Sequence, residues 1–154
     1  MFSTFIMLKP DAIEAHLEET ILDIFERHDI KVIRRKAVYV SEALIMKHYA
    51  DVIANLDIPD FPDRIRNEFV GKTVHVFELG SESEDVIKDV RKIIGTTEPI
   101  HAEINTIRGR FSNDSFKQAE AEHRTVRNLI HAADSPDNVV KEMDLWFNWK
   151  EENA

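Results

Sequence analysis

The sequence predicts an α+β sandwich of the ferredoxin-like type, with a four-stranded antiparallel sheet and helices packed on one of its faces. Short apolar or alternating segments are separated by segments with helical spacing. Their order reads strand-helix-strand, helix, strand-helix-strand and a last helix. A chain of 154 residues is long enough for one hydrophobic core and short for two. We therefore expect residues 1–154 to form a single domain.

The first half of the chain opens with a strand. The run FIML at 5–8 is apolar throughout and ends at Lys9, which is typical of a buried strand. Apolar residues at helical spacing predict a helix over 13–28, and the alternation of valines with basic residues predicts a strand over 31–40. A Ser-Glu pair then begins a helix expected over 41–52.

The second half repeats the alternation of strands and helices. It gives, in order, a strand at 74–77, a helix that starts at Ser81 or Ser83 and ends at Gly95, a segment without a clear period at 96–114, helix formers at 115–127, a strand at 128–133 and a helix from 136 to Phe147. Proline at the first helical position after a Ser or Asp cap marks the start of the last helix.

Composition and charge exclude several classes of protein. The formal net charge is −9, whereas nucleic acid or an anionic membrane would favour a basic face. The chain has no cysteine, which rules out disulfides, thiolate metal sites and cysteine nucleophiles. No signal peptide or membrane-spanning run is recognisable. These observations predict a soluble cytoplasmic protein with neither nucleic acid nor a membrane as its main partner.

The common sequence motifs for catalysis and phosphate binding are missing. The four glycines form neither GxxxxGK nor GxGxxG, so a backbone cradle of either common type is absent. The seven histidines contain no HExxH pair. What remains is a set of basic residues near the ends of predicted elements: Lys9, Arg91, Arg108 and Arg127. If those ends converge, the cations form a cage for a polyphosphate with His131 at its floor.

A histidine in such a cage suits phosphoryl transfer. Neutral imidazole is a nucleophile near pH 7, and it can take a phosphoryl group and pass it on. Glu142 lies beside the apolar stripe of Val139, Met143 and Trp146 on the last predicted helix. A carboxylate there can accept a hydrogen bond from one ring nitrogen of His131 and leave the other ring nitrogen to attack.

Taken one at a time, these residues favour structural interpretations. A lone strand histidine is more often a hydrogen-bonded core residue than a nucleophile. The others would be a helix-end cation (Arg91), a solvated strand end (Lys9), a solvated helix flank (Glu142), a packing residue (Tyr49) and turn or cap formers (Thr97 and Asn128).

Taken together, the segments resemble the nucleoside diphosphate kinase family over nearly the whole chain. The motifs that carry the resemblance are MLKPDA at 7–12, HYAD at 48–51, RKIIGTTEP at 91–99, TIRG at 106–109 and RNLIHAADS at 127–135. The last is the most specific, because it is close to the histidine signature of that family. The joint match outweighs the structural interpretation of each residue alone.

The resemblance implies ping-pong transfer of the γ-phosphoryl group from ATP to nucleoside diphosphates, with broad base specificity. His131 would be the phosphorylated nucleophile, and Glu142 would orient its ring. Mg2+ would bind the nucleotide phosphates without a protein ligand, and the protein would be a homo-oligomer (a dimer, tetramer or hexamer). The residues expected around phosphates, ribose and base are Lys9, Tyr49, Phe61, Arg91, Thr97, Arg108 and Asn128.

The chain departs from the family pattern at several positions. The usual His-Gly-Ser-Asp is replaced by HAAD at 131–134, which removes a serine hydroxyl expected near the histidine. Phe61 is the candidate for base stacking, but it stands in PDF rather than in the usual PFF. An apparent insertion of about ten residues lies within 110–126, a count taken against the usual pattern. We expect this insertion to form a short helix beside the nucleotide entrance.

Two other functions are compatible with the predicted fold. One is a catalytically weak or inactive member of the family that binds nucleotide or a partner, but the retained histidine, glutamate and cations argue against it. The other is an RNA-binding module in which sheet aromatics stack bases. The negative net charge and the lack of paired aromatic residues on a strand argue against this second alternative.

Overall fold

The computed structural model describes residues 1–151, and these form one four-stranded antiparallel sheet with helices around it. The strand order is β2-β3-β1-β4, which confirms the predicted ferredoxin-like arrangement. The strands are β1 (Phe2–Leu8), β2 (Lys31–Tyr39), β3 (Thr73–Ser81) and β4 (Ile130–Ala132).

Helices connect the strands throughout. They are α1 (Pro10–Glu14), α2 (Glu18–Arg27), α3 (Glu42–His48), α4 (Ala50–Asn55), α5 (Phe61–Phe69), α6 (Val86–Ile94), α7 (Ile107–Phe111), α8 (Phe116–Ala121) and α9 (Pro136–Phe147), with a 3-10 turn at Pro99–His101. None of the helices in this described part of the chain has both the length and the apolar character needed to cross a bilayer.

The prediction that helices cover one face of the sheet is wrong, because both faces are covered. Ile6 and Leu8 of β1 belong to one core, which includes residues of α2 and α6. Phe5 and Met7 point the other way into a second core, which includes residues of α3, α5 and α9. An uninterrupted apolar strand such as FIML is typical of a strand buried on both faces. This placement puts β1 at the centre of the molecule, directly beside β4.

Three predicted helix boundaries also differ from the structure. The helix expected over 13–28 is two helices, because His16 adopts a left-handed backbone conformation with φ of 56° between α1 and α2. The helix expected over 41–52 breaks at Tyr49 into α3 and α4. Ser81 ends β3 rather than starting a helix, and α6 begins only at Val86.

The segment without a clear period holds the 3-10 turn and α7. Thr106 caps α7 by accepting a hydrogen bond from the Gly109 amide at 3.1 Å. Gly95, at the end of α6, has φ of 96°, and a Cβ atom there would lie 2.5 Å from the Thr106 hydroxyl. The loop therefore needs glycine at this position, and the close approach brings α7, with Arg108, against the end of α6.

Candidate active site

A cleft of about 720 Å³ opens where β4, α9, α5 and α8 meet. Its lining includes all nine residues that the sequence assigned to catalysis and nucleotide binding: Lys9, Tyr49, Phe61, Arg91, Thr97, Arg108, Asn128, His131 and Glu142. Arg127, the fourth cation of the expected cage, is used elsewhere, because its Nε donates to Glu68 at 3.0 Å. The strand ends thus converge as expected, and the cationic cage contains Lys9, Arg91 and Arg108 without Arg127.

His131 lies in the middle of β4, opposite Met7 of β1. Its Nε2 is 2.5 Å from Oε1 of Glu142, which α9 brings up one side of the ring. About a quarter of the His131 side chain is exposed (26%), whereas Glu142 is 13% exposed. The contact fixes the ring, and it leaves Nδ1 as the ring nitrogen available to a substrate.

Burial shifts the two partners of this pair in ways that keep the histidine uncharged. Burial lowers the pKa of the His131 imidazole, and the cations of Lys9, Arg108 and Arg91 lower it further. Burial also raises the pKa of the Glu142 carboxyl. When the carboxyl is ionised, Nε2–H donates to it, and Nδ1 carries an unshared electron pair. That tautomer is the nucleophilic one.

His48 is a second histidine at the site, and sequence reasoning gave it no role. The indole Nε1–H of the fully buried Trp146 donates to Nδ1 of His48 at 2.9 Å, so His48 carries its own proton on Nε2. Its ring packs edge-on against His131, with centroids 4.6 Å apart. Burial lowers the pKa of His48 to about 3, which keeps a neutral ring beside His131. Its place next to Tyr49 in the HYAD motif was the available signal.

Lys9 is the most buried cation of the cleft, with 5% of its surface exposed. Its Nζ donates to Oδ1 of Asn128 at 2.8 Å and to the Val126 carbonyl at 3.2 Å. Asn128 in turn donates from Nδ2 to the Thr97 carbonyl at 3.0 Å. Burial lowers the pKa of Lys9, and no carboxylate within residues 1–151 forms an ion pair with its Nζ. The charge of Lys9 is therefore available to an anion that enters the cleft.

The guanidinium groups of Arg91 and Arg108 are anchored by main-chain carbonyls instead of carboxylates. Arg91 donates to the Ala132 carbonyl at 2.9 Å. Arg108 donates to the carbonyls of Gly95 at 3.0 Å and Ile130 at 2.6 Å. Carbonyls hold a guanidinium in place without neutralising its charge. Both arginines are thus positioned beside the histidine strand with their positive charge retained.

Tyr49 and Phe61 supply the aromatic part of the cleft. The Tyr49 ring lies 4.7 Å from that of His48 and 5.6 Å from that of Phe69, measured between centroids. Burial raises the pKa of the Tyr49 hydroxyl, so this group is a neutral donor. Phe61 is the first residue of α5 and is partly buried. The expected base platform therefore borders the same cavity as the histidine.

The strand that carries His131 is shorter than predicted, because Leu129 has a left-handed backbone with φ of 74°. This conformation costs a non-glycine residue about 1–3 kcal/mol. Two hydrogen bonds hold it: the Leu129 amide donates to Oδ2 of Asp11 at 3.0 Å, and its carbonyl accepts from the Lys9 amide at 2.8 Å. Asp11 is thus a supporting residue that sequence reasoning missed, although it stands in the MLKPDA motif.

The altered HAAD motif is packed tightly. Ala132 is 5% exposed and Ala133 is fully buried, so the missing serine hydroxyl is replaced by a methyl group inside the second core. Ser135 accepts a hydrogen bond from the Asn138 amide at 3.2 Å and caps α9. The helix that carries Glu142 is therefore fixed directly after the motif.

The segment expected to be an insertion contains one short helix, α8, at Phe116–Ala121. Phe116, Ala119 and Glu120 of this helix line the same cleft as His131 and Phe61. The segment thus contains a short helix, as expected, and this helix borders the cleft. The assignment of 110–126 as an insertion stays a prediction.

Within residues 1–151 there is one cluster of three potential metal ligands, His48, His131 and Glu142, whose donor atoms lie within 4.8 Å of one another. Mg2+ prefers oxygen ligands, so a set with two imidazoles does not suit it. Nδ1 of His48 is also already bonded to Trp146. This cluster therefore does not suit a Mg2+ ion held directly by the protein.

Fold and site together define a class of protein: an α+β enzyme with an oriented histidine facing a cationic cleft. The sequence profile of nucleoside diphosphate kinases matches residues 3–152. A nucleoside diphosphate kinase from Methanosphaera stadtmanae is 39% identical over 94% of this chain and 85% of the relative, and one from Methanothermobacter thermautotrophicus is 33% identical over 98% and 90%. The chain belongs to the nucleoside diphosphate kinase family.

Solved structures agree with this assignment. The nucleoside diphosphate kinase of Borrelia burgdorferi, solved as a transition-state mimic with vanadate and ADP, superposes with a TM-score of 0.87 at 29% identity, covering 98% of this chain and 88% of that one. An NDP kinase from Pyrobaculum aerophilum gives a TM-score of 0.80 at 28% identity, with coverage of 97% and 96%. The protein is a phosphotransferase that acts on nucleotides, and the RNA-binding alternative is set aside.

Proposed function

We propose that the protein transfers the γ-phosphoryl group of ATP to nucleoside diphosphates by a ping-pong mechanism through a phosphohistidine at His131. The observation that carries this proposal is the 2.5 Å contact between Nε2 of His131 and Glu142. It orients the ring and leaves Nδ1 as the nucleophile in a cleft lined by Lys9, Arg91 and Arg108.

The chemistry takes two steps of the same kind. In the first step, the electron pair of Nδ1 forms a bond to the γ-phosphorus of ATP while the bond from phosphorus to the bridging oxygen breaks, and ADP leaves with that pair. The proton on Nε2 stays between His131 and Glu142, and the negative charge of the Glu142 carboxylate stabilises the positive charge that develops on the ring. In the second step, a β-phosphate oxygen of the acceptor attacks the phosphohistidine, which returns the electron pair to Nδ1.

The cations contribute by positioning and by charge. A moving phosphoryl group spreads negative charge over its oxygens, and donors that are already in place stabilise this charge without reorganising. Arg91, Arg108 and Lys9 are held by carbonyls and by an amide, so their N–H groups are placed before substrate arrives. Mg2+ on the phosphates would supply further neutralisation of charge.

Recognition of the nucleoside uses the remaining residues. Phe61 would stack against the base, while Tyr49, Thr97 and Asn128 would contact ribose and phosphates. Stacking is sequence-tolerant because every base has an aromatic face. This arrangement supports broad base specificity.

We also propose that the protein forms a homo-oligomer. Within residues 1–151, no strand pairs with the outer edge of β2. Val32 and Ile33 on this strand are 40% and 47% exposed, and Tyr39 at its end is 73% exposed. A sheet edge with exposed apolar side chains favours pairing with another chain. Light scattering on the purified protein measures the state, and the cytoplasmic location stays a prediction.

The decisive experiment is phosphorylation by γ-labelled ATP with Mg2+, followed by denaturation of the chain. We expect acid-labile, base-stable label on the parent that GDP or dTDP discharges, and no label on His131→Ala. His101→Ala is the matched control, because this histidine is exposed and lies outside the cleft. Label on His131→Ala, or a parent that binds nucleotide without becoming labelled, contradicts the proposal and favours the inactive alternative.

A further inference from the structure

We propose that residues 112–127, here called the α8 segment, form a second wall of the nucleobase subsite. We further propose that Glu120 is a positioning residue that closes this wall against α5. The inference rests on the proposed function, since it assumes that the base lies beside Phe61. It adds a residue and a geometry that the nine predicted site residues do not include.

The first observation is a buried arginine shared between α5 and the α8 segment. Arg64 of α5 is 6% exposed. Its Nε donates to Oδ2 of Asp60 at 3.0 Å, and its two terminal nitrogens donate to the two carboxylate oxygens of Glu120 at 2.8 and 3.2 Å. A two-point contact of this kind fixes both distance and orientation. Glu120 therefore sets how far α8 stands from α5.

The second observation is a further ion pair between the same two elements. Arg127, at the end of the α8 segment, donates from Nε to Oε1 of Glu68 at 3.0 Å. Glu68 lies on α5 and is buried, one helical turn after Arg64. The segment is thus attached to α5 at two points, at Glu120 within α8 and at Arg127 where the segment ends.

The segment is also rigid within itself. Asp114 accepts two hydrogen bonds from Arg124, at 2.7 and 2.9 Å, and a third from the Arg127 amide at 2.7 Å. Ser115 caps α8 by accepting from the Gln118 amide at 3.0 Å. Arg124 is only 12% exposed, and Asp114 is 11% exposed. The ion pair between Arg124 and Asp114 therefore holds the two ends of the α8 segment together.

The third observation is the chemistry of the surfaces that face the cleft. Phe61 and Ile65 line the cleft from α5, and Phe116 and Ala119 line it from α8. Phe116 is 51% exposed, so half of a large apolar side chain is available to a ligand. Two apolar walls offer contact to both faces of a planar base, and that contact grows with the area of the base. The slot therefore favours purines over pyrimidines without reading the edges of the base.

If Glu120 only stabilised the fold, its removal would weaken the binding of GDP and pyrophosphate equally, whereas a positioning role affects only ligands that carry a base. Its side chain is 65% exposed, and the buried Arg64 keeps its ion pair with Asp60 when the Glu120 carboxylate is removed. Removing the Glu120 carboxylate should therefore leave the fold and the phosphate-binding cations unchanged. Only ligands that carry a base should bind more weakly to the variant.

The test is calorimetric binding of GDP, dTDP and pyrophosphate, with Mg2+, to the parent and to Glu120→Ala. We expect Glu120→Ala to weaken GDP binding about tenfold, the effect of losing about one stacking contact. dTDP should be weakened less, and pyrophosphate, which has no base, should bind as it does to the parent. Glu122→Ala is the matched control, because Glu122 is on the same segment but pairs with Arg124 and not with α5.

Several results overturn the proposal. These are GDP binding to Glu120→Ala that equals binding to Glu122→Ala, an equal loss for pyrophosphate and GDP, or a parent that binds GDP no better than pyrophosphate. The labelling of His131 is measured separately. If the expected binding pattern is found but His131 takes no label, the proposed second wall stands and the proposed transfer function is rejected. If His131 is labelled but the binding pattern is not found, only the proposed transfer function stands.

Discussion

The proton shared by His131 and Glu142 decides which ring nitrogen can attack. Their 2.5 Å contact accommodates either direction of donation. If the carboxylate accepts from Nε2–H, Nδ1 is a nucleophile; if a protonated carboxyl donates to Nε2, the ring proton moves to Nδ1 and the nucleophile is lost. In the proposed mechanism, Glu142 therefore selects a tautomer of His131 as well as holding its ring.

Replacing Glu142 with glutamine tests this role at a nearly constant shape. Glu142→Gln keeps a side chain of the same size but removes the charge that stabilises the Nε2–H tautomer and the ring charge in the transition state. We expect the rate of His131 labelling to fall about 100-fold, the size typical of a misoriented reacting group. Rapid-quench measurement of the labelling rate tests this prediction. The control is Asp144→Asn, on the exposed side of the same helix. Parental labelling rates in both variants would contradict the prediction.

The same pair predicts a dependence of activity on pH. Burial raises the pKa of Glu142 to about 7, so the ionised carboxylate that the nucleophilic tautomer requires is depleted as the pH falls below this value. The labelling rate of the parent should fall about tenfold per pH unit well below the pKa. Glu142→Gln should lack this acidic limb. A parent with a flat profile between pH 7 and 5.5 would be inconsistent with tautomer selection.

The raised pKa of Glu142 also links pH to stability, with the opposite sign. The folded state binds this proton more tightly than the unfolded chain does, so the group favours folding at acidic pH. Its contribution is lost as the pH rises through the folded pKa of about 7. The site is therefore most active in the pH range where this carboxyl supports the fold least.

At the scale of elements, local signals located β1, β2 and α9 well. Ser135-Pro136 is a strong helix start, and the structure begins α9 at Pro136. Two features escaped sequence reasoning. An apolar run does not show whether a strand is buried on one face or on both. The sequence around Leu129 does not indicate its left-handed backbone either, because that conformation depends on a hydrogen bond to Asp11, which is 118 positions away. Long-range hydrogen bonds, and not local propensity, fix the start of β4.

The cap of α9 gives a prediction that separates stability from chemistry. Ser135→Ala removes the acceptor for the Asn138 amide, and such losses cost about 1 kcal/mol. We expect the melting temperature to fall by roughly 2–4 °C. Labelling of His131 at 25 °C should remain within about twofold of the parent, because Glu142 lies in a later turn of the helix. Ser135→Thr, which retains a hydroxyl cap, should recover most of the lost stability in a thermal melt.

At the scale of the whole molecule, an acidic protein of net charge −9 contains a cationic cleft. The positions of residues in the sequence suggested Lys9, Arg91, Arg108, His131 and Glu142, the family resemblance added Tyr49, Phe61, Thr97 and Asn128, and the structure shows that all nine share one cavity. The contacts that tie Arg64 to Glu120 across 56 positions had no sequence signal, because charged residues on polar helices are ordinarily solvated. Sequence reasoning thus found the groups assigned to substrate and missed those that position the walls.

The cationic cleft predicts how nucleotide stabilises the fold. GDP at 100 times its dissociation constant should raise the free energy of unfolding by about 2.7 kcal/mol. Arg91→Ala should require roughly tenfold more GDP for the same increase in melting temperature, because one charge-assisted phosphate contact is lost. Lys92→Ala, the exposed neighbour on α6, is the control. Identical GDP titrations for both variants would remove Arg91 from the phosphate site.

The carbonyls that anchor Arg91 and Arg108 have a consequence for solubility. β4 lies at an edge of the sheet, and the carbonyls of Ile130 and Ala132 accept from these two guanidinium groups. A sheet edge whose acceptors are occupied in this way is a poor template for intermolecular β-aggregation. Arg91 and Arg108, which are proposed to bind phosphate, should therefore also reduce aggregation through this edge of the sheet. Protein in which they are replaced should precipitate more readily on concentration, whether or not nucleotide is present.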